Sequence, residues 1–368
     1  MIFRYKTECG IFTDSITGAQ IRRVTDGQSI NHHPFFIISA YDDNMRYLFF
    51  ISHREGHPSV MAEDRINGCL VRFTDRTDLN EWSLHPSFDG KRVYYSAANA
   101  VYFTSLDDGR EELLYDYKNT DCALKSGGMI ADGMGTTALS RNGRHLALCA
   151  RKTSGEACLY IIDTVTGATR KILERDDISH MQFKPDDENI IYYAGPLTDR
   201  VWCVNRDGTG NRRLYLRDKS KKEWITHESW IAGSNRLAFV DWPNGVRAVD
   251  INTGELTKIT SINAWHAISG DDGRYMVCDT NFPDIGLKLF AADKCDSEII
   301  TLCYPNSSSA GEHWNGPFPY DDGPIKVYAP QHTHPHPRFS PDSKYVVYTS
   351  DASGVSQVYE LELASVLK

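Results

Sequence analysis

The sequence predicts an all-β chain, a seven-bladed β-propeller, on two observations: a turn-and-strand phrase repeats seven times, and a second hairpin phrase follows most of its copies. The clearest copy is Phe339-Ser340-Pro341-Asp342-Ser343, followed by the alternating run 344–350 (KYVVYTS). Close copies are Phe88-Asp89-Gly90 into KRVYYSA, Leu139-Ser140-Arg141-Asn142-Gly143 into RHLALCA, and Phe183-Lys184-Pro185-Asp186 into NIIYYAG. Looser copies start at Asp42, Gly233 and Asp271. In each, Asp, Asn and Gly supply a tight turn, and β-branched and aromatic residues supply a strand.

The second phrase is a strand, a Thr-Gly or Asp-Gly turn and another strand, as in 159–173, 201–215 and 246–260. Two hairpins per repeat make four strands, and the turns recur at the spacing of propeller blades, roughly 40 to 50 residues. Residues 11–26 carry only the second phrase, and the last copy ends without an outer strand. An N-terminal strand is therefore expected to join the last blade near 356–364 and close the ring. No stretch has the 3.6-residue apolar period of a helix, so one propeller domain over 1–368 is expected. Two irregular segments interrupt the pattern, 118–135 and 303–331, the longer one rich in Pro, Gly, Ser and aromatics and expected to be functional.

Composition narrows the partners. With 41% apolar and 24% charged residues, the chain is neither disordered nor fibrous. Forty basic groups face 49 acidic ones, a net charge of −9, which argues against a nucleic-acid or anionic-membrane surface. An anionic ligand would have to meet a local cluster of positive charge. No run approaches the ~20 apolar residues of a membrane span, and the N-terminus lacks the apolar core of a secretory signal. Nine cysteines, without a C-x-x-C pair, read as small buried hydrophobes in a reducing cytosol, so a cytoplasmic protein is expected.

Laying the copies over one another brings histidines into register. Three residues before the position that precedes the turn stand His33, His85, His180, His227, His266 and His336, with Thr136 in the remaining blade. The strand before this turn is the innermost of a blade, so the register predicts a ring of imidazoles at one mouth of the channel. Such a ring suits a divalent metal or acid–base chemistry, since neutral imidazole is a common ligand and titrates near neutrality. Equally, a repeat histidine can serve as a framework residue that hydrogen-bonds between blades. For His85, in a copy two residues shorter, the framework reading is preferred. In Gln331-His332-Thr333-His334-Pro335-His336, the i, i+2 spacing puts His334 and His336 on one side of an extended strand, within reach of one ion, with an amide oxygen available from Gln331. His332 faces the other way.

Thr226-His227-Glu228-Ser229-Trp230 and 331–351 (QHTHPHPRFSPDSKYVVYTSD) resemble the corresponding stretches of oligogalacturonate lyases, cytoplasmic seven-bladed propellers of pectin catabolism. The resemblance extends through Asp199-Arg200-Val201-Trp202, through 205–213, and through Trp265-His266; in residues 1–135 only the repeat and an echo at His32-His33 remain. It implies a divalent ion, typically Mn2+, held by His266, Gln331, His334 and His336, with Arg200 and His227 as the catalytic pair. With Arg200, the ring members His180 and His33 are expected to bind substrate. The implied substrate is an acidic, uronate-containing oligosaccharide.

The implied reaction is β-elimination: a base takes the C5 proton of a uronate, the C4–O bond breaks, and the product carries a 4,5-double bond. That proton is weakly acidic because the intermediate adds a second negative charge to the carboxylate. A metal ion and a guanidinium on the carboxylate lower that barrier. Arg200 suits the clamp, having a planar, always-protonated fork, and His227 suits the base; the reverse assignment stays open, as does a surface ion pair between Arg200 and Asp199. A non-catalytic binding propeller and another metal-dependent sugar-acid enzyme are the rival readings. A serine hydrolase is not, for want of a G-x-S-x-G elbow.

Overall fold

The computed structural model describes residues 2–124, 135–280, 283–308 and 331–367, except the side chain of Gln331. Most of both irregular segments, 125–134 and 309–330, lies outside them. Among the described residues there is no α-helix, only short 3-10 turns such as Glu81–Ser83 and Lys219–Lys221. The strands form seven antiparallel sheets of four or five members, the seven blades of a β-propeller.

The chain divides into two compact units, Met1–Lys6 with Ile38–Leu214, and Thr7–Ile37 with Tyr215–Lys368. The first holds four sheets. In one of them Arg92–Ala97 is flanked by His85–Pro86 and Ala100–Ser105, and Glu111–Asp116 forms the outer edge. A strand not foreseen from the repeat, Phe3–Lys6, completes the sheet of Tyr47–Ser52 by pairing with Cys69–Arg72, Phe3 opposite Arg72. The short piece FRYK carries no turn phrase to mark it as part of a blade.

The second unit holds three sheets. Ile225–Trp230, Arg236–Asp241, Gly245–Asp250 and Leu256–Thr260 form one, and Ala264–Ser269, Tyr275–Thr280, Leu287–Ala291 and Ile300–Cys303 the next. In the third, the predicted closure is present. Gln20–Arg23 pairs with Gln357–Glu362, Ile21 opposite Leu361, and Gly10–Thr13 adds a fifth strand outside it.

The turn phrase works through side-chain oxygens. Ser340 Oγ donates to Asp342 at 2.7 Å while accepting the Tyr345 N–H at 3.0 Å. Ser87 with Asp89 and Ser140 with Asn142 repeat the arrangement. The Thr-Gly hairpins use an Asp instead: Asp250 Oδ1 accepts from Asn252 and Thr253, and Gly254 takes the φ of +74° that closes the turn.

Alternating residues bury between neighbouring sheets. In the second unit the shared core contains Trp224, Trp242 and Trp265, with Trp224 edge-on to the other two at 5.1 and 5.4 Å. Such pairs add about 0.5–1.5 kcal/mol beyond area burial, and they pin Ala264–Ser269 against the preceding sheet.

Candidate metal centre

The innermost strands of the repeat are irregular at their histidines. Pairing slips between Thr226 and Ser229, between Ala264 and Ala267, and, in the first unit, between Ser179 and Gln182. Each slip sets two residues against one, a bulge that re-aims side chains. His180, His227 and His336 all have φ near +50°, a left-handed conformation that costs a β-carbon-bearing residue roughly 1–3 kcal/mol and clusters at functional sites.

The sequence around His334 and His336 departs from the extended strand expected there. A 3-10 turn, Gln331–Thr333, opens the segment, and the regular strand is only Arg338–Phe339. Pro335 and Pro337 have no N–H to give a ladder. The predicted convergence nonetheless holds: His266, His334 and His336 bring ligand nitrogens within 4.8 Å of one another. All three are almost wholly buried, at 1%, 1% and 2% exposure. The His266 ring lies 4.1 Å from that of His336 and 5.8 Å from that of His334, centroid to centroid.

His227 joins this group, its ring 4.2 Å from His266 and 4.8 Å from Trp265. Phe35 stands 5.0 Å from His336, and Phe36 stands 5.1 Å from His266 and 6.0 Å from His227. Neither phenylalanine is exposed. Burial pushes the His336 imidazole well below its ordinary pKa, and the surrounding imidazoles add to the shift. His336 is therefore neutral at neutral pH, as a metal ligand must be.

His33 is also in this unit, 6.4 Å from His336, and its Nε2 lies 3.1 Å from the Pro335 carbonyl. A carbonyl only accepts, so Nε2 carries the proton. Burial lowers its pKa to about 4. In this geometry His33 holds the chain between His334 and His336. His332 is only half-buried and stands apart from the cluster. The side chain of Gln331 lies outside the described residues.

One residue of the site escaped the sequence: Asp279, on Tyr275–Thr280. Its Oδ2 accepts from His266 Nδ1 at 2.8 Å, and its Oδ1 from the His266 backbone N–H at 2.7 Å. With Nδ1 engaged, Nε2 of His266 is buried and has no hydrogen-bond partner. Three converging imidazoles, one with its outer nitrogen fixed and its inner nitrogen bare, fit a divalent ion. Asp279 belongs to no motif; the signal would have been an acid on the strand that pairs with His266.

The first unit treats its histidines differently. Arg200, 5% exposed, places Nη2 3.3 Å from Nδ1 of His180. Asp199 pairs with Arg213, at 2.7 and 2.8 Å, and the burial of Arg200 removes it from the surface. His85 stands two residues before its turn serine, where His336 stands four before its own. Its Nδ1 lies 2.9 Å from the Pro86 carbonyl, and its ring packs on Phe88, a framework role.

A family model described as oligogalacturonate lyase matches residues 151–366, more than half of the chain. The chain belongs to the oligogalacturonate lyase family. The oligogalacturonate lyase of Dickeya dadantii is 24% identical over 95% of this chain and 94% of its own. The oligogalacturonide lyase of Pectobacterium atrosepticum is 28% identical over 55% of this chain and 54% of its own. A solved oligogalacturonate lyase in complex with manganese superposes with a TM-score of 0.83 at 21% identity, covering 98% of this chain and 97% of the other. An oligogalacturonate lyase from Vibrio parahaemolyticus gives 0.81, also at 21% identity, with 98% of each chain covered. These superpositions establish the family's seven-bladed fold from end to end, including the first third, where the sequence shows little beyond the repeat.

Proposed function

We propose that this chain is a metal-dependent lyase that cleaves oligogalacturonate-like, pectin-derived oligosaccharides by β-elimination, leaving a 4,5-unsaturated uronate. The observation that carries the reading is the convergence of His266, His334 and His336, in a chain of this family. These three residues and Gln331 would hold the ion, with Mn2+ the first candidate because a solved family member carries it. When bound, the ion supplies Lewis-acid neutralisation of the charge that builds on the uronate carboxylate.

His227 takes the C5 proton. It is buried against His266 and Trp265, on a backbone bulge that turns its ring toward the ligand cluster. General-base transfer of this kind contributes roughly 10²–10⁴-fold. Phe35 and Phe36, both fully buried, pack against His336, His266 and His227 and keep water from the ring faces they cover, which strengthens electrostatic effects there. Arg200 is assigned to the substrate carboxylate on its sequence motif. Within its own unit, His180 Nδ1 accepts from its guanidinium and helps fix the fork. His180 thus serves substrate binding through Arg200, and His33 serves it by steadying the segment of His334 and His336. One propeller domain and a reducing, cytoplasmic location complete the reading, the latter supported by nine free thiols. No helix among the described residues is long and apolar enough to cross a membrane.

The test is the ultraviolet absorbance of the unsaturated product across a panel of uronate oligosaccharides, with and without Mn2+. Absorbance should rise with galacturonate oligomers and stop on chelation. Silence across the panel from metal-loaded protein would overturn the reading.

A further inference from the structure

We propose that Asp279 is the positioning residue of the metal centre: it fixes the His266 tautomer that leaves Nε2 bare and ties His266 to His336. The inference rests on the metal-centre reading above. Its ground is that both carboxylate oxygens are spent on two of the three converging histidines. Oδ1 accepts the His266 backbone N–H at 2.7 Å. Oδ2 accepts the His266 ring Nδ1–H at 2.8 Å and the His336 backbone N–H at 3.2 Å.

The backbone explains why a carboxylate is needed. Ala264 faces Thr280 and Ala267 faces Cys278, so Trp265 and His266 together stand opposite Asp279. That bulge removes His266 N–H from the regular ladder, and a buried N–H without an acceptor costs about 1–3 kcal/mol. The approach to His336 has the same problem, because prolines flank it on both sides. One acceptor-only side chain, 1% exposed, satisfies both N–H groups and also orients a ring. A His bonded to a carboxylate through one nitrogen presents the other to a metal, and loss of such a partner costs about 10–100-fold in metal affinity.

Asp279→Asn separates this role from packing. The Asn amide oxygen can keep the His266 N–H bond, which puts its NH2 where Oδ2 was. An N–H donor then faces both His266 Nδ1 and the His336 N–H. The ring proton must move to Nε2, the metal-facing atom, and the His336 segment meets a donor instead of an acceptor.

The experiment is Mn2+ titration of wild type, Asp279→Asn and His334→Ala, read by the electron paramagnetic resonance of free Mn2+. Imidazole 15N shifts of the metal-free proteins and their melting temperatures accompany it. The expected result is an Nε2-bare His266 in wild type, a proton on Nε2 in Asp279→Asn, and affinity about 10–100-fold weaker in that variant. Wild-type affinity in Asp279→Asn with an unchanged His266 tautomer would overturn the proposal. So would an Nε2-protonated His266 in metal-free wild type, a result that needs no variant to fold. Failure of wild type to bind Mn2+ would instead remove the metal-centre reading, and this inference with it.

Discussion

His180 in the first unit and His227 in the second begin from the same local instructions. Each precedes its turn by the same interval, sits at a slip in strand pairing, and has φ near +50°. Their surroundings then diverge. Nδ1 of His180 meets Ser179 Oγ at 3.1 Å and Arg200 at 3.3 Å, an environment of hydrogen bonds. His227 meets His266, Trp265 and Phe36, an environment of rings. The repeat thus fixes where an imidazole stands and how its backbone is bent. What the imidazole does is set by non-repeating residues: an arginine in one unit, and in the other a Trp cluster, a Phe-Phe segment and a lone aspartate.

The broadest expected effect, on metal content and turnover together, strikes the second unit alone. His336→Ala should empty the site of Mn2+ by elemental analysis and lower turnover by about 10²–10³-fold or more, the scale of losing oriented electrostatic stabilisation. His180→Ala should leave metal content unchanged; equal metal loss in the two variants would erase the contrast.

His227→Ala should keep its metal and lose roughly 10²–10⁴-fold in double-bond formation. Wild-type turnover would leave Arg200 as the candidate base. Arg200→Lys keeps the charge but loses the fork, and should raise the KM for uronate oligomers as well as lower kcat.

The pH response should also differ between environments. The buried His33 has a pKa of about 4 when folded and an ordinary value near 6.5 when unfolded. The unfolded chain therefore binds the extra proton first. Stability is full above pH 6.5 and falls between 6.5 and about 4, by roughly 3 kcal/mol from this group. His336 acts in the same direction. Denaturant melts of metal-free protein between pH 7.5 and 4.5 measure the loss, and His33→Phe should flatten it. The smallest effect belongs to His85: His85→Phe should cost about 1 kcal/mol of stability and leave metal and activity intact.

The blades and the closing pairing of Ile21 with Leu361 were legible because repeats translate directly into geometry; the grouping of His266 with His334 and His336 came from the family resemblance, not from the extended strand expected there, which the segment does not form. Asp279 was not legible, since its partner is set by strand pairing across a bulge. Nor was Phe3–Lys6, too short to carry a period. For His85 the shorter copy already pointed to a framework position, and its contact with the Pro86 carbonyl agrees with that reading.

The closing strand has a consequence in time. Thr25 Oγ1 donates to Gln357 at 2.7 Å across 332 positions, and the segment that begins at this strand goes on to deliver His33, Phe35 and Phe36 to His336 and His266. During synthesis, Gln20–Arg23 can pair at first only with Gly10–Thr13, its inner edge waiting until Gln357–Glu362 has emerged, and pairing over such a separation is intrinsically slow. His334 and His336 themselves emerge only shortly before that strand. The proposed ligand histidines are therefore all present only once the last stretch of the chain is made, so a metal ion would bind a nearly finished protein.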